Sequence, residues 1–290
     1  MILAAGPWQL EVNPEVGGSV RSLAWAGIPV LAADDTASDP VLAAGCFAML
    51  PFANRIRDGL VRLPAGASRT VTPGGVADPA HPLHGIGWLR PWQVEPTDPS
   101  DGVLLKLVHP GDPAWPWPFQ AFLSFRVSDA AFTSTLMLAN TGSGPIPASI
   151  GFHPWFPAAT ARFSTRARQL WLPDPSGLCT RPEPCAGFEG AAPADQPLDA
   201  CLTGWTGEAG IELQGHPFLL IANMPSGPVP RVPDALHVYT PTGGARFCLE
   251  PQSARSGAFD VEAGQPGGPP LLEPGDELVM SMAIMALDAP

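Results

Sequence analysis

The sequence predicts an all-β fold, a large antiparallel β-sandwich, and three observations lead to this prediction. Short apolar runs alternate with turn residues along all 290 residues. The 38 prolines and 31 glycines follow no fixed period and leave little uninterrupted sequence for long amphipathic helices. Hydrophobic residues make up 45% of the chain, enough to bury a sizeable core. We therefore expect a single β-sandwich domain over residues 1–290.

The predicted strands fall into three groups along the chain. The first thirty residues form a hairpin meander, because strand-like runs alternate with turns such as NPEVGG. In the middle of the chain, FTSTLML alternates with the period of two that strands show. The predicted strands are residues 8–12, 19–27, 28–32, 102–109, 119–128, 131–142, 235–241, 245–251 and 277–287. Residues 173–197 predict a long loop that crosses the sandwich and borders a site.

Composition excludes several classes of function. The formal net charge of −12 argues against a nucleic-acid partner, whose phosphates require Lys and Arg. Lys106 is the only lysine and lies in a predicted strand, so neither a phosphate-binding loop nor a Schiff-base site is indicated. No G-x-G-x-x-G follows a strand, which argues against a dinucleotide cofactor.

The sequence also shows no motif for metal binding, no membrane-spanning segment and no signal peptide. The five cysteines include no C-x-x-C pair, and no H-x-x-x-H or H-E-x-x-H spacing occurs, so we expect no metal site. There is no apolar run of about 18 residues for a membrane span, and the first residues do not read as a signal peptide. The sequence therefore predicts a cytoplasmic protein without a membrane partner.

Two segments place polar side chains among apolar or glycine neighbours. FANRIRDG carries Asn54 and Arg55, which form either a surface turn or a guanidinium fork directed at a substrate oxygen. HPLHGIGW carries His84 and Trp88, with glycines that let the backbone approach closely and an indole face that suits a sugar ring. A purely structural role for His84 is the alternative.

Three further residues are candidates for acid–base chemistry. In GFHPWF, His153 is restricted to an extended conformation by the following proline and is flanked by aromatic residues, including Trp155. Asp199 lies where a loop meets a strand, and Glu250 lies at the predicted end of an apolar strand, which would bring it to a sheet rim. A hydrogen-bonded core histidine, a turn aspartate and a solvated glutamate remain the alternatives.

Taken together and in order, these segments resemble the aldose 1-epimerase (galactose mutarotase) family. The matching segments are FANRIRDG, PLHGIGW, GFHPWF, PLDACLTGW and VYTP…FCLEPQ, and the resemblance covers nearly the whole chain. It implies the large antiparallel β-sandwich predicted above, with a sugar site in an open cleft. It also implies an isomerase of carbohydrate metabolism that binds a free aldose and needs no cofactor.

The resemblance implies a role for each matching residue. Glu250 corresponds to the general base and His153 to the general acid, while Arg55, His84 and Asp199 correspond to groups that hold the sugar. Asn54 is expected beside them, with Trp155 and Trp88 as walls against the sugar ring. Because a free imidazole is mostly neutral at pH 7, we expect an ionised neighbour to keep His153 charged.

Three questions stay open at the level of sequence. The segment after EPQ, SARSGAFD, departs from the proline–aspartate–asparagine type of the family, so the preferred aldose is not fixed. A carbohydrate-binding module without turnover, or a glycoside hydrolase using Asp199 and Glu250, are the competing functions. A sugar phosphate would need extra cations at the cleft, for which Arg57, Arg62 and Arg90 are available. We expect a monomer or a homodimer.

Overall fold

The computed structural model describes residues 1–34, 36–37, 40–72, 80–98, 102–225 and 232–289. It confirms the all-β prediction, with two large sheets whose neighbouring strands all run antiparallel. Helical structure in the described ranges is limited to short 3-10 turns at Arg57–Gly59, Pro64–Gly66, Gly87–Leu89, Pro193–Asp195 and Ala258–Asp260. Among these residues, no helix has the length and apolar character to cross a bilayer.

The larger sheet has eleven strands in the described part of the chain. In spatial order these are β1 (Ile2–Ala5), β2 (Trp8–Asn13), β3 (Ser19–Trp25), β5 (Cys46–Met49), β13 (Gly151–Pro157), β22 (Arg246–Gln252), β21 (Ala235–Thr240), β18 (Leu198–Thr203), β15 (Gln169–Pro173) and β16 (Cys179–Pro184), with β4 (Ile28–Leu31) also paired to β3.

The second sheet has nine strands among the described residues. In spatial order these are β17 (Gly187–Ala191), β14 (Arg162–Arg166), β19 (Glu208–Leu213), β20 (His216–Asn223), β24 (Glu277–Ala286), β11 (Ala131–Asn140), β10 (Phe119–Val127), β9 (Val103–His109) and β8 (Gln93–Glu95). Two small ribbons pair β6 (Leu60–Arg62) with β7 (Ser68–Thr70), and β12 (Ile146–Pro147) with β23 (Leu271–Leu272).

One hydrophobic core joins the two sheets. Along β10, β11 and β24, buried and partly exposed residues alternate, as expected for strands that cover a core on one face. Their inward residues, such as Phe132 and Ile284, belong to the same buried cluster as Leu10 and Leu249 of the larger sheet. Burying such a side chain contributes about 1.5–3 kcal/mol.

The nine predicted strands are all present, but the prediction of a long loop over residues 173–197 is wrong. This stretch contains β16 and β17, each at the edge of a different sheet. Pro182 and Pro184 lie within β16. Proline is tolerated in edge strands because one side of such a strand needs no hydrogen-bond donor, so a segment rich in turn residues still pairs with its neighbour.

Candidate active site

A row of side chains crosses the middle of the larger sheet. His153 on β13 pairs with Phe47 on β5, and His237 on β21 pairs with Glu250 on β22. The register of β13 with β22, Gly151 to Gln252 and Trp155 to Cys248, also sets His153 opposite Glu250. Residues opposite one another in a sheet point to the same face. His153 Nε2 accordingly lies 3.3 Å from Glu250 Oε1.

The predicted position of Glu250 at a strand end needs correction. Glu250 lies within β22, which is a central strand of the sheet. The pairing of β13 with β22 is interrupted between Gly151 and Trp155. Pro154 and Pro251 lie in this interval and have no N–H to donate. The ladder is therefore open where His153 faces Glu250, in the interior of the sheet.

Seven of the eight predicted site residues line one cleft. The cleft has a volume of about 320 Å³, at the small end of the usual range for small-molecule sites. The predicted residues on its wall are Asn54, Arg55, His84, His153, Trp155, Asp199 and Glu250. Motifs that lie far apart in the sequence therefore come together at one place in the fold.

The structure does not place Trp88 on the cleft wall. Trp88 is buried and stacks on Phe47, with ring centroids 5.2 Å apart, and Phe47 rather than Trp88 lines the cleft. Its indole N–H donates to the Gly85 carbonyl at 3.1 Å. Phe47 in turn stacks on His153 at 4.5 Å. Trp88 thus supports the ring that supports His153, and Phe47, which the sequence analysis did not select, forms the wall.

His84 and Asn54 hold each other in unusual backbone conformations. Both have positive φ, +56° and +62°. The Asn54 N–H donates to His84 Nδ1 at 3.1 Å, and the His84 N–H donates to the Asn54 carbonyl at 3.0 Å. Gly85, at φ +71°, is required next to them because a Cβ there would lie 2.0 Å from the Leu50 carbonyl oxygen. The predicted close backbone approach at these glycines is confirmed.

This arrangement makes His84 a neutral hydrogen-bond donor. Its Nδ1 accepts the Asn54 N–H, so the ring proton of the neutral form lies on Nε2. Burial, together with the positive charges of Arg55 and His237 and the neighbouring His153, holds the pKa of His84 well below its ordinary value. His84 can therefore offer an N–H to a hydroxyl oxygen.

Asp199 lies between two basic side chains. Its Oδ1 accepts from His237 Nε2 at 2.8 Å, and its Oδ2 lies 3.9 Å from Arg55 Nη1. Burial opposes ionisation, but the hydrogen bond from His237 and the charges of His237 and Arg55 outweigh it and lower the pKa of Asp199. Asp199 is a carboxylate that can accept a hydrogen bond from a substrate hydroxyl.

Asn54 lies on the cleft wall and also contacts its neighbours within the protein. Its Oδ1 accepts the Arg55 N–H at 2.9 Å, and its Nδ2 lies 3.3 Å from His237 Nδ1. The amide oxygen therefore has a partner within the protein, and the amide nitrogen lies against the His237 ring. Asn54 lines the cleft but mainly positions its neighbours.

Burial sets the protonation of the His153–Glu250 pair. It raises the pKa of Glu250 to about 7, against which the positive charge of His237 acts. It lowers the pKa of His153 to about 3, and the charge of His237 acts in the same direction. The lowered pKa of His153 therefore argues against the expected charge on this ring in the free protein, although Glu250 is in contact with it. His153 Nδ1 faces the Cys248 thiol at 3.5 Å.

Among the polar residues that line the cleft, the sequence analysis missed three: His237, Tyr239 and Arg246. Arg246 lies 4.5 Å over the Trp155 ring, and its guanidinium donates to the carbonyls of Ala32, Leu42 and Ala44. It thereby ties the segment before β5 to the cleft. For His237, the available signal was its position two residues before Tyr239 in ALHVYTP, on the same strand face.

The fold also brings together three possible metal ligands that lie far apart in the sequence, His84, His153 and Glu250. One ligand atom each of His84, His153 and Glu250 lies within 4.8 Å of the others. Imidazole and carboxylate groups in such a cluster have the chemistry of metal ligands. The absence of H-x-x-x-H spacing thus does not by itself argue against a metal, and the expectation of a metal-free site stays a prediction.

Comparison with known proteins identifies the relatives of this chain. The profile of the aldose 1-epimerase family matches residues 12–200. The Escherichia coli K12 protein YphB, whose function is uncharacterized, is 29% identical over 225 residues, covering 76% of this chain and 75% of YphB.

Solved structures show the same fold. An Escherichia coli K12 protein provisionally assigned as an aldose 1-epimerase superposes with a TM-score of 0.82 at 24% identity, over 98% of this chain and 97% of its own. A galactose mutarotase-like protein from Clostridium acetobutylicum superposes with a TM-score of 0.80 at 19% identity, over 99% and 95%. With the family profile matching well over half of its residues, this chain belongs to the aldose 1-epimerase family.

Proposed function

We propose that the protein is an aldose 1-epimerase that interconverts the α and β anomers of a free, unphosphorylated aldose. The observation that carries this proposal is the contact between His153 Nε2 and Glu250 Oε1, 3.3 Å apart on the wall of a cleft of monosaccharide scale. Two groups that exchange protons at this distance can serve both oxygens of one hemiacetal.

The reaction requires two proton transfers at neighbouring atoms. Glu250 removes the proton of the C1 hydroxyl as the bond between C1 and the ring oxygen breaks, and His153 delivers a proton to the ring oxygen. The product is the open-chain aldehyde. Rotation about the C1–C2 bond and closure on the other face of the carbonyl reverse both transfers and restore the starting protonation.

The pair must hold one proton to do this. With the pKa of His153 at about 3 and that of Glu250 at about 7, the free pair carries one proton between these values. In the free protein this proton lies on Glu250. A bound sugar favours transfer of this proton from Glu250 to His153, because its C1 hydroxyl donates to Glu250 and its ring oxygen accepts from His153. Such acid–base catalysis contributes about 10²–10⁴-fold.

The other groups of the cleft suit a sugar. The His84 N–H and the Arg55 guanidinium are donors, while the Asp199 carboxylate is an acceptor, so adjacent hydroxyls can be held from both directions. Arg246 covers one face of Trp155, which leaves the rest of the ring to line the cleft.

The positions of the arginines favour an uncharged sugar. Arg57 is paired with Asp174 and Asp260, and Arg90 with Asp112. Neither these two nor Arg62 is among the described residues that line the cleft. Arg246 lines it, but its guanidinium is engaged by three carbonyls and Asp34. We therefore expect weak activity on hexose 6-phosphates.

Polarimetry tests the proposal. Fresh α-D-glucose, α-D-galactose and α-L-arabinose are followed to equilibrium with and without the protein, beside glucose 6-phosphate. We expect faster equilibration of at least one free sugar and a smaller effect on the phosphate. Binding of these sugars by calorimetry without any acceleration would favour the binding-module alternative. Release of nitrophenol from aryl glycosides would favour a hydrolase.

A further inference from the structure

His237 is the buried histidine of the cleft to which the proposed reaction assigns no task. It lies on β21, directly opposite Glu250 on β22 and opposite Cys201 on β18. Its side chain is only 3% exposed, yet it forms part of the cleft wall. A polar ring buried in a sheet is costly unless each nitrogen has a partner.

Both ring nitrogens of His237 have partners. Nε2 lies 2.8 Å from Asp199 Oδ1, and Nδ1 lies 3.0 Å from Ser256 Oγ. Because the carboxylate only accepts, Nε2 carries a proton. The Ser256 hydroxyl is the nearest partner of Nδ1 and can accept a hydrogen bond from a second ring proton on that nitrogen. The ring is therefore fixed at two points, and it holds one oxygen of Asp199.

Asp199 has few other restraints. Its Oδ2 lies 3.9 Å from the nearest Arg55 nitrogen, which is an ion pair rather than a hydrogen bond. The side chain is one-third exposed to the cleft. Without the bond to His237, its carboxylate could rotate away from a bound sugar. The bond from His237 Nε2 leaves Oδ2 directed at the space beside Arg55.

We infer that His237 is the positioning residue of the cleft: it fixes the Asp199 carboxylate for a substrate hydroxyl and supplies a buried positive charge beside Glu250. This inference rests on the proposed function. The role is distinct from acid–base catalysis, because His237 acts on the sugar through Asp199 and on the reacting pair through its charge.

The groups that face His237 support a positive charge. Two carboxylates face it, Asp199 from β18 and Glu250 from β22. The thiols of Cys179 on β16 and Cys201 on β18 are hydrogen-bonding neighbours, and these partners together raise the pKa of His237 well above its ordinary value despite burial. The opposing groups are the Asn54 amide nitrogen, 3.3 Å from Nδ1, and the neighbouring histidines His84 and His153.

The charge has a measurable consequence for the reacting pair. A cation beside Glu250 and His153 lowers the pKa values of both groups. Removing it raises both. The pH above which the pair loses its last proton then moves upward, a change that a loss of packing alone would not produce.

Two substitutions separate the two parts of the inference. His237→Gln keeps an N–H that can reach Asp199 but removes the charge, whereas His237→Leu removes both. Val238→Ala is the matched control, because Val238 is the next residue of β21 and points into the hydrophobic core. For all three proteins we would measure KM, kcat, the pH profile and the melting temperature.

For His237→Leu we expect KM to rise about 10–100-fold with a smaller change in kcat, because the hydrogen bond to a charged group is lost. For both His237 variants we expect the alkaline limb of kcat/KM to shift upward by about half a pH unit or more. Val238→Ala should lower the melting temperature and leave KM and the pH limb unchanged. Wild-type KM and an unmoved limb in both His237 variants would overturn the inference.

Two measurements remain informative if a variant does not fold or if the protein shows no turnover. In the wild type, ¹⁵N chemical shifts of the His237 ring report its charge directly, and a neutral ring at pH 6 would contradict the charge assignment. Sugar affinity by calorimetry reports the positioning of Asp199 without catalysis. Equal affinity of wild type and His237→Leu for a sugar that Asp199→Asn no longer binds would contradict the positioning role.

Discussion

At the scale of single residues, the cleft keeps a carboxyl group in a place that opposes its charge. Glu250 is buried, and its Oε2 has one hydrogen-bond donor in the Gln252 amide at 3.1 Å, while Oε1 faces His153. A carboxyl group with a pKa near neutrality is both a usable base and a usable acid. The burial that costs stability therefore provides the property that the proposed reaction needs.

The first prediction concerns the pH dependence of the reaction. Below about pH 7 the free pair retains one proton, and above it the last proton leaves, because the pKa of Glu250 is raised to about 7. We expect kcat/KM to be steady from pH 5 to about 6.5 and to fall about tenfold per pH unit at high pH. The measurement is polarimetry over pH 5–9, with the uncatalysed rate subtracted. A value that still increases at pH 9 would refute the shared proton.

The second prediction concerns stability. A raised carboxyl pKa means that the protonated group contributes stability that is complete below the unfolded value of 4.5 and is lost as pH rises through about 7. Glu250→Gln does not lose stability in this way, because a glutamine side chain does not release a proton as the pH rises. Relative to wild type, the variant should gain up to about 3 kcal/mol in the free energy of unfolding between pH 4.5 and 8.5.

Urea unfolding at the two pH values measures this gain. Glu277→Gln, which alters an exposed carboxylate at the start of β24, is the control and should show little pH-dependent difference from wild type. If the free energies of unfolding of Glu250→Gln and wild type differ by the same amount at pH 4.5 and pH 8.5, the pKa of Glu250 is not raised in the folded protein.

The residues that sequence could reveal are those in short motifs. His84, His153 and Glu250 each stand in a distinctive segment beside glycine, proline or aromatic residues. His237 and Arg246 lie in ordinary strand sequence, and their roles depend on which strands become neighbours. The sequence suggested that Trp88 lines the cleft, whereas Trp88 stacks on Phe47, which lines it instead. The sequence near a site does not show which of two stacked aromatic rings is in contact with the cleft.

At the scale of elements, the alternation of apolar residues was sufficient to predict the strands that have one buried face, such as β10, β11 and β24. It failed for β16, an exposed edge strand whose burial pattern has no alternation. Such a strand forms because a neighbour offers hydrogen-bonding groups, which is information that its own sequence does not contain. The opening of the ladder at Pro154 and Pro251 likewise depends on the pairing of β13 with β22.

The third prediction tests the loop that presents His84. Gly85→Ala places a Cβ 2.0 Å from the Leu50 carbonyl oxygen, whereas Gly66→Ala has the same backbone strain, at φ +73°, and open space around it. The strain costs about 1–2 kcal/mol in each variant, and the backbone clash adds to it only in Gly85→Ala. We expect Gly85→Ala to be less stable than Gly66→Ala in urea unfolding and to lose sugar affinity. Equal stability and full affinity would show that the turn can rearrange.

At the scale of the whole molecule, the two sheets share one core, and the site lies on the sheet rather than in a single loop. The proposed reacting pair, His153 and Glu250, comes from two central strands, while Arg55 and His84 come from segments that precede β13 in the chain. The common core is consistent with one domain over residues 1–290. The domain boundaries and the expectation of a monomer or homodimer stay predictions.

The most direct test of the central claim is the rate of anomer exchange at equilibrium, measured by NMR with a sugar labelled at C1. The sugar is the one that wild type equilibrates fastest, and wild type is compared with Glu250→Gln under conditions where both bind it. We expect wild type to accelerate exchange and Glu250→Gln to lose about 10²–10⁴-fold of that acceleration while it still binds the sugar. Equal exchange with both proteins would contradict the assignment of Glu250 and, with it, the proposed mechanism.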